Sequence, residues 1–401
     1  MFARQLCNVV RPFVVANHSA HFGATRKLLL TEQHTAPKTS RRYVLAGSLA
    51  AAETVAAPQV SRAQTQTLRF QSAWRSKDIL NEFALGYAKS VSDMTGGRIR
   101  IDMSPAGGLV PAIQMQEAVH AGVLDGSHGS CSHWYNKHRA FALFGSPPPF
   151  GWDSQGMLAW FYQGGGEALY AELTREVMKL NIVGMLAFPM PTQPLGFFKK
   201  EIKAPDDLKG VRYRTVGLAA DLARELGAVA VTLPGGDIAT AMDKGLLDAA
   251  EYNNPMSDLM LNVWDMTKFY MVGSYHRPIE TFEIAINKTR YEAFSPEVKA
   301  ILRAAAFASS AEQLGIATNQ YSKNLDEIRQ RGVTIARTGQ AVLEAQLAAW
   351  TVAITELSKE PFFAKVVASQ KAWVKRTLPY LQINNMSSGE LAAAYRHFFG
   401  V

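Results

Sequence analysis

From residue 68 onward the apolar positions switch repeatedly between a period of two and a helical period. Residues 68–74 read Leu-Arg-Phe-Gln-Ser-Ala-Trp, an alternation that predicts a first strand. Leu80, Phe83, Ala84, Tyr87, Ala88 and Val91 then recur at helical spacing and stop at Gly96-Gly97, which predicts a helix over 79–95. A short alternating strand over 98–102, a helix over 112–121 and a strand over 123–128 follow. Such β-α-β alternation implies a parallel or mixed sheet covered by helices. Residues 154–180 are helical in pattern with a break at Gly164-Gly165-Gly166, and 182–188 is an apolar strand. Strands are predicted over 196–200, 210–215, 229–233 and 282–287, with a helix over 218–226. From about 296 the pattern is nearly all helical, in amphipathic runs over 297–331, 339–358, 361–376 and 388–398. That tail either braces the rest of the chain or offers a dimer surface.

One segment recurs. Residues 118–126 (Ala-Val-His-Ala-Gly-Val-Leu-Asp-Gly) and 241–249 (Ala-Met-Asp-Lys-Gly-Leu-Leu-Asp-Ala) both end a helix at a glycine, Gly122 or Gly245. A glycine tolerates the left-handed cap best, and a short apolar strand with an aspartate, Asp125 or Asp248, comes next. Two such units point to two similar lobes. A chain of 401 residues is long enough for them.

The beginning of the chain has a different character. Arg41-Arg42 precede a mild Ala/Gly-rich apolar stretch, and Ser61-Arg62-Ala63 supplies small residues for processing. We read residues 1–63 as a leader of the twin-arginine type, removed on export. The formal charge of +8 then loses its apparent meaning, because residues 1–63 hold eight Lys/Arg against two acids. The remainder is nearly neutral, which argues against a nucleic-acid partner. Only two cysteines occur, Cys7 in the leader and Cys131, so a disulfide framework and a zinc cluster are both excluded from the mature chain. Cys131 reads as a small buried hydrophobe.

Catalytic signatures are missing: there is no G-x-S-x-G, H-E-x-x-H, Walker loop, G-x-G-x-x-G or C-x-x-C. His128, His133 and His138 are spaced by five residues, which does not keep them on one helical face, so we do not read them as a metal site. The informative stretch runs from Gln193 to Tyr252. Arg212 and Arg214 lie on the same side of a short strand, and a guanidinium holds a carboxylate in a two-pronged fork. Solvated surface arginines would give the same pattern. Glu251, at the end of a buried strand, stands where open α/β sheets bind ligands. Alone it would repel an anion, but a cation bridging Glu251, Gln193 and a ligand carboxylate removes the conflict.

These residues resemble a known family. Asp206-Asp207-Leu208-Lys209-Gly210-Val211-Arg212-Tyr213-Arg214, residues 235–245 and residues 248–252 are similar to the substrate-binding proteins of TRAP transporters, the DctP-like family. Residues 105–111, 122–126, 144–147 and 193–202 resemble its subgroup for 2-oxo acids and related monocarboxylates, and the likeness covers 68–390. The resemblance implies that Arg214 grips the ligand carboxylate and that Na⁺ or Ca²⁺ bridges ligand and protein. It implies metal contacts from Gln193, Glu251 and the backbone carbonyl of Tyr252, with Trp134 or Tyr135 closing the pocket. The subgroup more often has Trp at the position of Tyr252, and Asn253-Asn254 is unusual there, which bears on pocket size and ligand choice.

The expectation is an α/β, two-lobed periplasmic solute-binding fold with hinge strands and a helical C-terminal region. Lobe I would comprise 64–190 with return strands after 280, lobe II 191–279, and 280–401 the hinge return and helical tail. The chain would be a non-enzymatic receptor in the periplasm that delivers a small organic acid to TRAP membrane permease subunits, and its C-terminal helices would offer a homodimer surface. Two other readings stay open at this point. One is an exported metal-dependent lyase or isomerase using Glu251 or His276 as base. The other is a sensory ligand-binding receptor.

Overall fold

The computed structural model describes residues 65–400. The leader assigned to 1–63 lies outside the described residues. Among those described, no helix is long and apolar enough to cross a membrane.

Among the described residues eleven strands form two sheets. In the first, β1 (Gln66–Ser72), β2 (Ile99–Ser104), β3 (Gly126–Gly129), β4 (Ile182–Met190) and β10 (Glu280–Asn287) stand in the order β2-β1-β3-β10-β4. In the second, β5 (Gly196–Phe198), β6 (Arg212–Arg214), β7 (Val229–Val231), β8 (Ala249–Ala250), β9 (Phe269–Val272) and β11 (Thr334–Arg337) stand in the order β11-β9-β5-β8-β6-β7. Each sheet is the heart of one lobe. Both start from the same parallel triplet, β2-β1-β3 in one and β7-β6-β8 in the other.

The repeated segment explains the likeness. Gly122 and Gly245 both take positive φ, +75° and +66°, and turn the chain from a helix into β3 or β8. Asp125 then accepts the N–H of Arg69 in β1 at 2.8 Å, and Asp248 accepts the N–H of Arg212 in β6 at 3.1 Å. Each aspartate is clamped by an arginine, Arg290 or Arg212. The same device thus anchors the third strand beside the first in both lobes.

The tail is less purely helical than its periodicity predicts. The 35-residue helix Pro296–Gln330, started by the Ser295 cap and Pro296, is about 52 Å long. Leu302, Ala305 and Ala306 pack with Leu68 and Phe70 in lobe I, whereas Ile328 packs with Phe197 and Tyr270 in lobe II. The helix braces both lobes, and after it the chain adds β11 to the edge of the second sheet, parallel to β9. Four residues are too few to show an alternation, so that edge strand was invisible in the pattern. The tail ends in helices Gln340–Leu357, Pro361–Asn384 and Ser388–Phe399.

Two segments cross from one lobe to the other side by side. Residues 191–195 lead from β4 to β5, and residues 273–279 lead from β9 back to β10. The Gln193 N–H donates to the Arg277 carbonyl at 3.1 Å, and the Thr192 hydroxyl donates to the Pro278 carbonyl at 3.1 Å. Gly196, at the head of β5, has φ +112° and leaves no room for a Cβ against the Ala250 carbonyl. Gly196→Ala should therefore lower stability by on the order of 2–4 kcal/mol, measured by urea unfolding, since a backbone group cannot move aside. An unchanged midpoint would show that the crossing is not fixed by this contact.

Candidate functional site

Parallel strands deliver their carboxyl ends to one place. β6 ends at Arg214 and β8 runs directly into Glu251, whose N–H donates to the Arg214 carbonyl at 3.1 Å. The Arg214 side chain, 5% exposed as a residue, turns back over this turn. Its Nη1 donates to the Glu251 carbonyl at 2.8 Å and its Nε to the Leu233 carbonyl at 3.0 Å. Nη1 also lies 3.7 Å from Glu251 Oε1. Gln193 reaches in from the first crossing, and its Nε2 donates to Glu251 Oε2. Arg214, Glu251 and Gln193, separated in sequence, form one buried cluster.

Two atoms of that cluster lack partners. Gln193 Oε1 and Glu251 Oε1 are both buried without a hydrogen bond. Unpaired buried oxygens of this kind are costly, and a hard cation would satisfy them both. No group of three His, Cys, Asp or Glu suited to a metal occurs among the described residues. An amide and a single carboxylate suit Na⁺ or Ca²⁺ and do not suit a transition metal.

Beside the cluster lies a cavity of about 60 Å³ between the lobes. Lobe II contributes Arg214, Val216, Tyr252 and Asn253; lobe I contributes Trp74 beyond β1, Ser130, Ser132 and His133 beyond β3, and Glu280 at the start of β10. The second crossing contributes Arg277. The Tyr252 ring is flanked by two guanidinium groups, Arg75 at 5.4 Å and Arg214 at 5.9 Å from its centroid.

His133 lines the cavity and is exposed to solvent. Burial pushes Glu280 up to about 7, against the pull of Arg277. Glu280 accepts from Asn253 Nδ2 at 3.1 Å, a bond that joins the lobes. A second such bond runs from Ser257 Oγ to Asp78 Oδ1 at 2.8 Å.

Some expected residues stand elsewhere. Trp134 is buried in the core of lobe I, where its Nε1 donates to Glu283 at 3.1 Å. Tyr135 packs with Leu218, Leu222 and Trp350, and its hydroxyl bonds Asp221. Neither lines the cavity: Trp134 turns into lobe I, and Tyr135 reaches across to Asp221 of lobe II. Trp74 and Tyr252 supply the aromatic walls instead. Arg212 shares the strand face with Arg214 but is held by Asp248 through Nε (2.7 Å) and Nη2 (2.6 Å). The three histidines do not converge: His128 Nδ1 accepts from Trp74 Nε1, and His138 faces Glu360. His276 is buried, bonded to Ser274 and lowered to about 3 by burial, and it is not on the cavity wall. Cys131 is a buried free thiol. Sequence reasoning missed Trp74, Ser132, His133 and Arg277, which lie just past strand ends or on a crossing and carry no local motif.

Paired α/β lobes around a small polar cavity, with a buried arginine at the carboxyl ends of its strands, define a two-lobed receptor for a small solute. The chain belongs to the bacterial extracellular solute-binding protein family 7, DctP, whose model matches residues 70–365. It is an extracytoplasmic receptor of TRAP-type transport and not an enzyme. Over 370 residues it is 31% identical to the monocarboxylate 2-oxoacid-binding periplasmic protein of Nostoc sp., covering 88% of this chain and 99% of that one. A TRAP transporter solute binding protein from Bordetella bronchiseptica RB50 superposes with a TM-score of 0.76 at 26% identity, over 84% of this chain and 98% of that chain. That protein is a mixed-occupancy dimer with copurified calcium and picolinate. A TRAP periplasmic solute binding protein from Pseudoalteromonas atlantica, with bound sodium and pyruvate, gives a TM-score of 0.74 at 24% identity, over 84% and 100%.

Asp258 offers a pH test of the floor below the cavity. It accepts the Asn253 N–H at 2.8 Å and the Tyr270 hydroxyl at 2.7 Å, yet burial raises it to about 7 from 3.8. A folded-state value above the unfolded one contributes stability that is present at low pH and lost as pH rises through about 7. Asp258→Asn, which does not titrate, should gain on the wild type by on the order of 2–4 kcal/mol between about pH 4 and about pH 8 in urea unfolding. A difference independent of pH would mean that Asp258 is ionised in the fold.

Proposed function

We propose that the ligand is a small 2-oxo or 2-hydroxy monocarboxylate, gripped by Arg214 and bridged to the protein by Na⁺ or Ca²⁺. Gln193, Glu251 and the backbone carbonyl of Tyr252 would hold the ion. The observation that carries this reading is the pair of buried, unpartnered oxygens, Gln193 Oε1 and Glu251 Oε1, beside the Arg214 guanidinium. A carboxylate brought next to Glu251 would be repelled, and the cation supplies the charge that turns repulsion into a bridge. The bound acids of the related proteins support the same choice. Arg214 is already oriented by two carbonyls, so little side-chain entropy remains to be lost on binding. The closed lobes then present one surface to the TRAP membrane permease subunits. In this reading Arg41-Arg42 send the folded receptor out by the twin-arginine route.

Titration calorimetry of residues 64–401 with pyruvate, 2-oxobutyrate and lactate tests the site. We expect binding that a chelator or sodium-free buffer weakens at least tenfold, and that Arg214→Ala and Glu251→Gln each weaken on the order of 100-fold. Binding indifferent to the ion and to both substitutions would overturn the assignment.

The C-terminal helices support a homodimer. Tyr380, Ile383, Leu391 and Phe398 are 63%, 87%, 59% and 78% exposed, an apolar display that a monomer rarely carries. A groove of about 380 Å³ along the helix Pro361–Asn384, lined by Phe150, Val374 and Leu378, lies on the same element. Ile383→Glu combined with Leu391→Glu should convert a dimer to a monomer in sedimentation velocity while leaving ligand affinity within about threefold. A wild-type monomer would dismiss the dimer.

A further inference from the structure

We infer that the Tyr135 hydroxyl and the Asp221 carboxylate form a latch between the lobes, which makes Tyr135 a positioning residue that retains the bound acid without touching it. This rests on the reading of the chain as a two-lobed receptor for a small acid. Tyr135 follows β3 in lobe I, and Asp221 stands in the first turn of the helix Leu218–Glu225 in lobe II. The first crossing separates them along the chain, so the bond between them depends on the angle between the lobes. Each partner is prepared by its own lobe. The exposed Arg139 guanidinium lies over the Tyr135 ring, 4.2 Å from its centroid, and steadies the ring from lobe I. Arg224, three residues on in the same helix, engages Asp221 Oδ1 and leaves Oδ2 to accept from Tyr135.

Around this bond the lobes meet in an apolar patch, Tyr135 and Ala142 of lobe I with Leu218 and Leu222 of lobe II. Trp350 of the helix Gln340–Leu357 packs into the same patch, and its Nε1 donates to the carbonyl of Tyr275, on the second crossing, at 2.7 Å. The latch and the hinge therefore share one support. Tyr135 and Trp350 are buried, whereas Asp221 is half-buried, so the bond stands where the dry patch meets solvent. Opening the lobes would carry Leu218, Leu222 and Asp221 away from Tyr135. That exposes apolar surface and breaks a hydrogen bond to a charged acceptor. Neither partner of the latch lines the cavity, unlike Asn253 and Glu280, whose bond also joins the lobes. A contact made only in the closed state raises the closed population, and the apparent affinity rises by the same factor with no new ligand contact. Release requires opening, so the factor belongs to the dissociation rate.

The test is stopped-flow kinetics and calorimetry with pyruvate and lactate, in calcium-containing buffer, on residues 64–401. Tyr135→Phe, which removes one oxygen and keeps the ring, should raise the dissociation rate about five- to tenfold and weaken binding by the same factor. The association rate should stay within about twofold. Asp221→Ala should act alike, and Y135F/D221A should lose no more than about twofold beyond the larger single effect, since both changes remove one bond. Arg224→Ala, which breaks the other pairing of Asp221, should leave affinity within about twofold. Thermal unfolding without ligand shows that each variant folds. An unchanged dissociation rate in folded Tyr135→Phe, or a double variant that loses the product of the single effects, would overturn the inference. An equal loss in Arg224→Ala would overturn it in favour of a general weakening of that helix, and a loss confined to association in favour of a role in ligand entry. If the wild type binds neither acid, the receptor reading fails and the latch falls with it, which is a different failure.

Discussion

A carboxylate with no solvent exposure organises this protein. Glu251 is fully buried, and burying an ion without compensation costs several kcal/mol. Compensation comes from three directions: Arg214 one strand away, Gln193 from the crossing, and the backbone that pins Arg214 in place. Each requires the others. Arg214 faces the cluster only because β6 and β8 are parallel and in register, and that register is set where Asp248 binds Arg212. The cluster remains incomplete at two oxygens, and this incompleteness points to a ligand.

The hinge and the site are made of the same residues. Gln193 and Arg277 lie on the two crossings, and a backbone hydrogen bond couples them. A ligand that touches either residue therefore acts on the segments whose dihedral angles set the lobe angle. The bonds from Asn253 to Glu280 and from Ser257 to Asp78 join the lobes across the cleft. They bias the closed arrangement, and the ligand adds its own differential affinity to them. The long helix Pro296–Gln330 limits the motion, since it is packed into both lobes.

Much of this was legible in advance, and for identifiable reasons. The helix-glycine-strand segment occurs twice, and the physical demand behind it, a left-handed cap followed by an aspartate that binds the neighbouring strand, is the same in both lobes. Gln193, Arg214 and Glu251 were named from their motif and do meet in space. Trp134 and Tyr135 were placed at the pocket because aromatic neighbours beside a predicted strand are natural walls. They are claimed instead by Glu283 in lobe I and Asp221 in lobe II, partners far away in the sequence.

The sequence by itself determined the β-α-β order, the two-lobe repeat, the family and the central acid-arginine pair. Those properties follow from local periodicity, from backbone chemistry at single glycines and from motifs contiguous in the chain. Only the tertiary structure decided which arginine of the pair lines the cavity and which aromatics form its walls. Those outcomes depend on strand ends brought together from residues 72 to 280, and on which buried charge claims which partner. No periodicity encodes that competition, because it is settled by distance and desolvation after the chain has folded.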